Sequence, residues 1–219
     1  MPVKFNQYWT IDQEKKDDYV KFAMKEFIPG MNKLGIHVVA GWSVLVGGYS
    51  EIILEGVSGD LNLLEEALRN SRYKELRDGL LHHIKNYKTK VLIKNGGKDT
   101  YSPEIKENTV KFNQMWDVIS SKKAEYTKFV AEEFYPSLET LGISVAAEWE
   151  VLIGDGPRTI CEGRAQDTGC LIRDLQSENF KHAKHGLKRF VENYESRLLV
   201  FHVQKIKGYK SSSYKLIAD

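Results

Sequence analysis

The sequence is poor in cysteine and proline, with two and five in 219 residues, and no apolar run approaches the roughly 18 residues of a membrane span. The cysteines, Cys161 and Cys170, allow no disulfide framework beyond a single bridge. Neither lies in a CxxC or Cys/His cluster, so both read as ordinary buried or half-buried thiols. Excess charge of one sign is lacking too: 32 Lys and Arg face 30 Asp and Glu, a net charge of +2. That balance removes the electrostatic case for nucleic acid or an acidic membrane as partner. There is no phosphate-binding GxxxxGK[ST] loop, no GxGxxG after a strand, no HExxH and no GxSxG. The opening Met-Pro-Val-Lys-Phe-Asn-Gln lacks the apolar stretch of a signal peptide, so a cytoplasmic location is expected. What remains is ordinary for a chain with a real core: 42% hydrophobic, 11% aromatic and 28% charged.

The chain is one unit written twice. Lys4-Phe5-Asn6-Gln7-Tyr8-Trp9 returns as Lys111-Phe112-Asn113-Gln114-Met115-Trp116, and the same offset holds without a gap. Glu26-Phe27-Ile28-Pro29 matches Glu133-Phe134-Tyr135-Pro136, and Leu34-Gly35-Ile36 matches Leu141-Gly142-Ile143. Trp42, Glu55, Gly56, Gly79, Asn86 and Tyr87 likewise recur as Trp149, Glu162, Gly163, Gly186, Asn193 and Tyr194. About a third of the paired positions are identical, which marks a duplication. A period this long is a small domain, not a solenoid unit. The expected organisation is a first repeat over 1–95, a linker over 96–109 rich in turn formers, a second repeat over 110–206 and a flexible or loosely docked tail over 207–219.

Each copy opens on a short aromatic-rich strand, 4–11. A helix over about 15–34 follows, bent or cut at Pro29 and stopped at Gly35. Strands over 37–46 and 51–57 then form a hairpin through a Gly-rich turn. Leu64, Leu68, Leu76, Leu80 and Ile84 predict a second helix over 62–87, broken near Ser71, and a strand over 90–94 closes the unit. The order strand, helix, strand, strand, helix, strand is ferredoxin-like. The chain is therefore expected to be α+β, with the bare sheet face of one repeat covered by the other.

With both repeats in view, from the first-strand motif through Asn179-Phe180-Lys181 to Tyr194-Glu195-Ser196-Arg197-Leu198-Leu199, the chain resembles the dimeric α+β barrel superfamily. The resemblance implies two ferredoxin-like β-α-β-β-α-β repeats packed sheet to sheet as an intramolecular barrel. Relatives include cofactor-free monooxygenases, isomerases, dehalogenase-like enzymes and haem binders. It thus implies a small organic molecule bound, and in an enzyme converted, between the two sheets. The alternative is a non-catalytic assembly module, and self-association through the outer surfaces fits either. A third reading is a haem protein of the chlorite dismutase-like type, in which His182, His185 or His202 would be the axial iron ligand; otherwise no cofactor is expected.

Which residues reach the space between the sheets depends on hairpin register, since a slip of one residue turns every side chain over. Pairing Trp42 with Gly56 and Val44 with Leu54 gives an apolar helix-facing set that includes Val38, Ala40, Trp42 and Val44. The inner face then receives Ser43, Leu45, Ile53 and Glu55, and in the second copy Glu148, Glu150, Glu162 and Arg164, with Glu148 opposite Arg164. Asn6 and Asn113 join them by alternating with the aromatics of the first strand. Clustered carboxylates raise one another's pKa, so Glu162 is the candidate general acid or base and Asn6, Glu55, Asn113, Glu148, Glu150 and Arg164 the candidate binding residues. A cross-strand ion-pair ladder is the plainer reading of the same charges. His182 and His185, three apart among lysines, read as a solvated basic helix face, as do His82 and His83 in the other copy, and no metal site is expected. Pro2 would be N-terminal once Met1 is removed, as in tautomerases, but those folds lack this hairpin unit and the second copy has Thr109 there. The lysines and tyrosines of the tail, Lys205 to Lys215, read as docked or solvated rather than as a nucleic-acid surface.

Overall fold

A computed structural model describes residues 1–47, 52–95, 108–207 and 212–217. Its first strand, β1 (Val3–Ile11), is buried on both faces along most of its length. Phe5 and Trp9 point toward the helices, while Lys4, Asn6 and Tyr8 point the other way. The first helix runs as α1 (Lys16–Phe22), a π-helical turn (Ala23–Phe27) and α2 (Ile28–Lys33). Pro29 has no N–H to return to the fourth residue back, and the Ile28 N–H just before it reaches five residues back to Ala23. The expected bend at Pro29 is thus a widened turn, repeated before Pro136 in the second copy. Gly35, at φ 82°, ends the helix in the left-handed conformation, as Gly142 does at φ 69°.

Strands β2 (His37–Val46) and β3 (Ile52–Ser58) form the hairpin, and the second helix divides into α3 (Leu61–Arg69) and α4 (Ser71–Leu81). Asn70 causes the break: it is extended, and its side chain accepts from the Arg72 N–H to cap α4. Strand β4 (Ile84–Lys94) begins six residues earlier than the expected 90–94, so Ile84 and Tyr87 are strand rather than helix. Asn86 sits there at φ 58° in a bulge opposite Trp9, a conformation that asparagine tolerates better than most residues. The second copy follows as β5 (Val110–Val118), α5 (Lys123–Phe129), a π-helical turn (Val130–Phe134), α6 (Tyr135–Thr140), β6 (Ser144–Ile153), β7 (Thr159–Ala165), α7 (Thr168–Leu175), α8 (Glu178–Leu187) and β8 (Val191–Lys207).

Eight strands close on themselves in the order β2-β3-β1-β4-β6-β7-β5-β8, with β8 returning to β2. Neighbouring strands of this ring are antiparallel throughout. Stepping four places around this ring carries each strand onto its repeat counterpart, so the pseudo-two-fold axis runs along the barrel. The helices pack outside, giving two outer cores, one centred on Trp9, Phe27 and Leu80 and one on Trp116, Phe134 and Leu187. Two smaller clusters, built around Trp42 with Phe201 and Trp149 with Leu92, lie inside the barrel. The tail contributes β9 (Ser212–Leu216), which pairs with the end of β8, and Ile217 N–H donates to the His202 carbonyl. Of the linker expected at 96–109, only Asn108 and Thr109 are among the described residues.

The hairpin register differs from the expected one. Trp42 pairs with Ile53, not Gly56, because a bulge at Val39 separates the Val38–Gly56 pair from the Ala40–Glu55 pair. The same bulge falls at Ala146. Each bulge swaps the faces of the strand beyond it. Ala40 and Trp42 therefore enter the barrel instead of facing the helices, and Glu148 and Glu150 leave it.

Candidate functional site

The centre of the barrel is a closed ring of four charges. Lys4 Nζ lies 3.1 Å from Glu55 and 2.7 Å from Glu162; Lys111 Nζ lies 2.5 Å from Glu55 and 3.0 Å from Glu162. All four side chains are within 2% of complete burial. Two indoles close the ring from the sides, Trp149 at 4.8 Å from the Lys4 ammonium and Trp42 at 4.9 Å from that of Lys111. Four members came from the repeat itself: β1 and β5 contribute the lysines at equivalent positions, β3 and β7 the glutamates. Each ammonium touches one carboxylate of its own repeat and one of the other, so the ring joins the halves.

Symmetry is broken in what else the carboxylates receive. Glu162 accepts from Trp149 Nε1 at 3.2 Å and from Arg164 at 3.1 Å. Glu55 has neither donor: its Oε2 and the Trp42 Nε1 are both buried without a hydrogen bond, and Trp42 stacks on Phe201 at 4.4 Å. Burial opposes ionisation of both glutamates, and Lys111 and Lys4 outweigh it. Glu55 is thereby held below the ordinary carboxylate value and Glu162, with Arg164 added, well below it. Burial draws the Lys111 ammonium below its usual value against the pull of both glutamates. The expectation that Glu162 would have a raised pKa is therefore corrected. A carboxylate this firmly ionised is a poor general base or acid at neutral pH.

Asn6 and Asn113 come next along β1 and β5. Each has a buried side-chain oxygen that accepts no hydrogen bond. Beyond them the barrel opens into a mouth of about 170 Å³ lined by Tyr8, Lys88, Thr89, Lys90, Met115, Asp155, Gly156, Pro157, Glu195 and Arg197. Burial pushes the Tyr8 phenol up to about 12, so it is a protonated donor at neutral pH. Gly154, at φ 131°, lets the β6–β7 turn lie against β4: a side-chain carbon there would stand 2.8 Å from Lys90 Cγ.

Two expected residues lie elsewhere. Glu148 pairs with Cys161 rather than standing opposite Arg164, and it sits beneath the second-repeat helices. There it accepts from Tyr126 at 2.7 Å, from Asn95 at 2.8 Å and from Tyr135. Burial, then the Glu148 and Glu162 charges, pushes the neighbouring Cys161 thiol well up, so it is inert. Glu150 is exposed, opposite Thr159. The first repeat has glycine, Gly41, where the second has Glu148, and its buried Tyr19 instead meets His202 Nε2 at 3.3 Å. Lys4 and Lys111 were not anticipated, although they share the alternation phase that places Asn6 and Asn113 inside. That phase was the available signal.

Three solved structures have this architecture at low identity. A Fusobacterium nucleatum protein provisionally titled a monooxygenase is 12% identical over 91% of this chain and 92% of its own, with a TM-score of 0.64. A Lactobacillus acidophilus protein with the same provisional title is 12% identical over 99% of both chains, at 0.59. A mutant chlorite dismutase from Candidatus Nitrospira defluvii is 12% identical over 91% of both, at 0.57. No family model matches the sequence, and no curated protein matches it. The chain thus has the dimeric α+β barrel fold, with two ferredoxin-like repeats in one molecule.

The histidines do not fit a haem. His182 and His185 are exposed on α8, beside a cleft of about 190 Å³, below the few hundred Å³ of a typical cofactor pocket. His202 is buried against Tyr19, which engages its Nε2. Among the described residues no three His, Cys, Asp or Glu side chains cluster as metal ligands, and no helix is long and apolar enough to cross a membrane.

Proposed function

We propose that the chain binds a small organic molecule in the mouth of the barrel, above the charged ring. The observation that carries this is the cavity at the barrel end, where Tyr8 and Met115 face inward and Lys90 and Arg197 stand at equivalent places in the two repeats. In this reading Glu55, Glu162 and Arg164 build the floor, Asn6 and Asn113 offer acceptors above it, and Glu148 and Glu150 take no part. Glu162 acts by fixing the lysines rather than by moving a proton. A second reading, a non-catalytic assembly module, draws support from the filled waist: Glu55 and Glu162 are closed in ion pairs with Lys4 and Lys111.

Native mass spectrometry of the protein from its own host, before and after denaturation, separates the two. The comparison is with Met115→Trp, whose indole fills the mouth. An adduct that leaves on denaturation and is missing from Met115→Trp supports binding at the mouth. An adduct retained by Met115→Trp moves the site elsewhere, and a bare chain in both favours the assembly module.

A further inference from the structure

Leu45 and Val46 end β2, and their repeat counterparts Leu152 and Ile153 end β6. The pseudo-two-fold axis brings both pairs to the mouth end of the barrel, and all four side chains are exposed. Single exposed apolar residues are ordinary, whereas two equivalent pairs at one end mark a contact surface. The charges at this end are inverted between the halves. Strand β4 brings Lys85 and Lys88 there, and at the equivalent places β8 brings Glu192 and Glu195, all four exposed. Thr10 on β1 is likewise matched by Asp117 on β5, while Lys90 and Arg197, deeper in the mouth, keep one sign. Lys85 and Glu195 have partners in their own chain, Asp12 at 3.3 Å and Arg197 at 4.0 Å, yet stay 65% and 55% exposed. Strands β4 and β8 lie four places apart in the ring, on opposite sides of the mouth. One side of this end is thus basic and the other acidic.

We infer that the partner of this end is a second copy of the chain, docked mouth to mouth about a two-fold axis perpendicular to the barrel. With that axis passing near β3 and β7, each copy's β4 lies over the other's β8. Lys85 and Lys88 then meet the partner's Glu192 and the partner's Glu195, and the same contacts form again across the axis. Turning one copy by half a turn about the barrel would set lysine against lysine and glutamate against glutamate, so the charges select one orientation. The contact also takes the four apolar side chains out of water. An anionic lipid surface would attract the β4 side and repel the β8 side, which favours a second copy over a membrane. Each mouth is roofed by the other, so the two cavities of about 170 Å³ face one another. The contact needs no ligand in the mouth; if one is bound, the partner closes it in.

Sedimentation velocity of the full chain across protein concentration and salt tests the contact. A species at twice the chain mass of 25.1 kDa is expected, weakening as salt rises because exposed ion pairs are screened. Lys85→Glu with Lys88→Glu makes both sides of the mouth acidic, and Glu192→Lys with Glu195→Lys makes both basic. Each double variant should self-associate about a hundredfold more weakly, and the two mixed should form a one-to-one pair. Ile153→Asp, at an exposed tip, should weaken the dimer without touching the four charges, and serves if a charge variant does not fold. A wild type that keeps the mass of one chain at its highest soluble concentration in low salt overturns the inference. So does a dimer that charge reversal leaves intact, or a pair of folded charge variants that do not combine. A single chain that cosediments with phosphatidylglycerol vesicles overturns it in favour of a membrane surface. The native adduct is read separately, so the mouth site can stand or fall apart from the dimer.

Discussion

At the barrel waist Lys4 and Lys111, Asn6 and Asn113, Glu55 and Glu162, and Trp42 and Trp149 are the same residues in both halves, whereas beneath the helices Gly41 stands where the other half has Glu148. Ile28 likewise corresponds to Tyr135 in the repeat, and Asn95 to His202. The difference follows from the axis. A waist residue lies beside its own counterpart, so changing one lysine or glutamate unbalances a ring that both halves share. A residue under the helices is separated from its counterpart by the barrel and meets different neighbours. Each half could therefore build its own polar cluster there, Tyr19 with His202 in one and Tyr126, Tyr135 and Asn95 around Glu148 in the other.

The sharpest way to break this comparison is at the ring. Glu162→Gln leaves two buried ammonium groups facing one carboxylate and should cost about 3–5 kcal/mol of stability in urea denaturation. Glu55→Gln should cost less, because Glu55 lacks the Trp149 and Arg164 donors that Glu162 holds. Converting all four members to Met and Leu should restore most of the loss, since a well-packed apolar substitute avoids desolvating four charges. Acid provides a second handle. Both glutamates are held below their unfolded pKa, so their contribution is complete above the ordinary carboxylate range and fades as pH falls through their folded values. Stability measured down the acid limb should therefore drop in the wild type, and the all-apolar ring should flatten that drop. An equally steep fall in both would remove the ring from the acid response.

Much of the architecture was legible because duplication doubled each signal: Pro29 with Pro136 and Gly35 with Gly142 mark the same turns twice. The faces of β2 and β6 were not legible. One extra residue, Val39 or Ala146, reverses all that follows, and neither residue type betrays a bulge. Placing Trp42 under the helices was reasonable for an indole, yet here the indole flanks a buried ammonium inside the barrel. The β1 and β5 phase held Asn6 and Asn113 inward, but lysine two residues earlier looks like a solvated strand end until its carboxylate partners are located across the barrel. Glu148 was drawn to the wrong face by the same bulge, and its phenol partners lie on α5 and α6, too far along the chain for spacing to reveal.

Beneath the helices the expected effects are smaller and confined to one half. Glu148→Leu removes the acceptor of Tyr126, Tyr135 and Asn95 together and should cost about 3 kcal/mol, the range for stranding buried donors. His202→Leu takes away the Nε2 contact to Tyr19, whose hydroxyl still receives the Trp9 indole at 3.2 Å, and should cost about 1 kcal/mol. Paired urea melts check this order. Equal costs would mean that the two clusters, despite their different chemistry, carry equal weight.

The smallest effect concerns the tail, whose strand pairs with β8 of the second repeat while its Tyr214 reaches into the first. Tyr214 donates to the Val38 carbonyl at 2.9 Å and receives the Asn32 amide at 3.0 Å, while Asn32 Oδ1 accepts from the Val38 N–H at 2.8 Å. These bonds grip the residue just before the Val39 bulge, the device that turns Trp42 into the barrel. Their counterpart position to Asn32 is Glu139, so the Ala146 bulge is held differently. Tyr214→Phe should then cost about 1 kcal/mol and speed amide exchange at Val39 and Ala40 more than at Ala146 and Ala147. Equal acceleration at both bulges would show that β9 stabilises the barrel as a whole. Acceleration at the first bulge alone would show that the two halves, built from one unit, depend on different supports to hold the same inward turn.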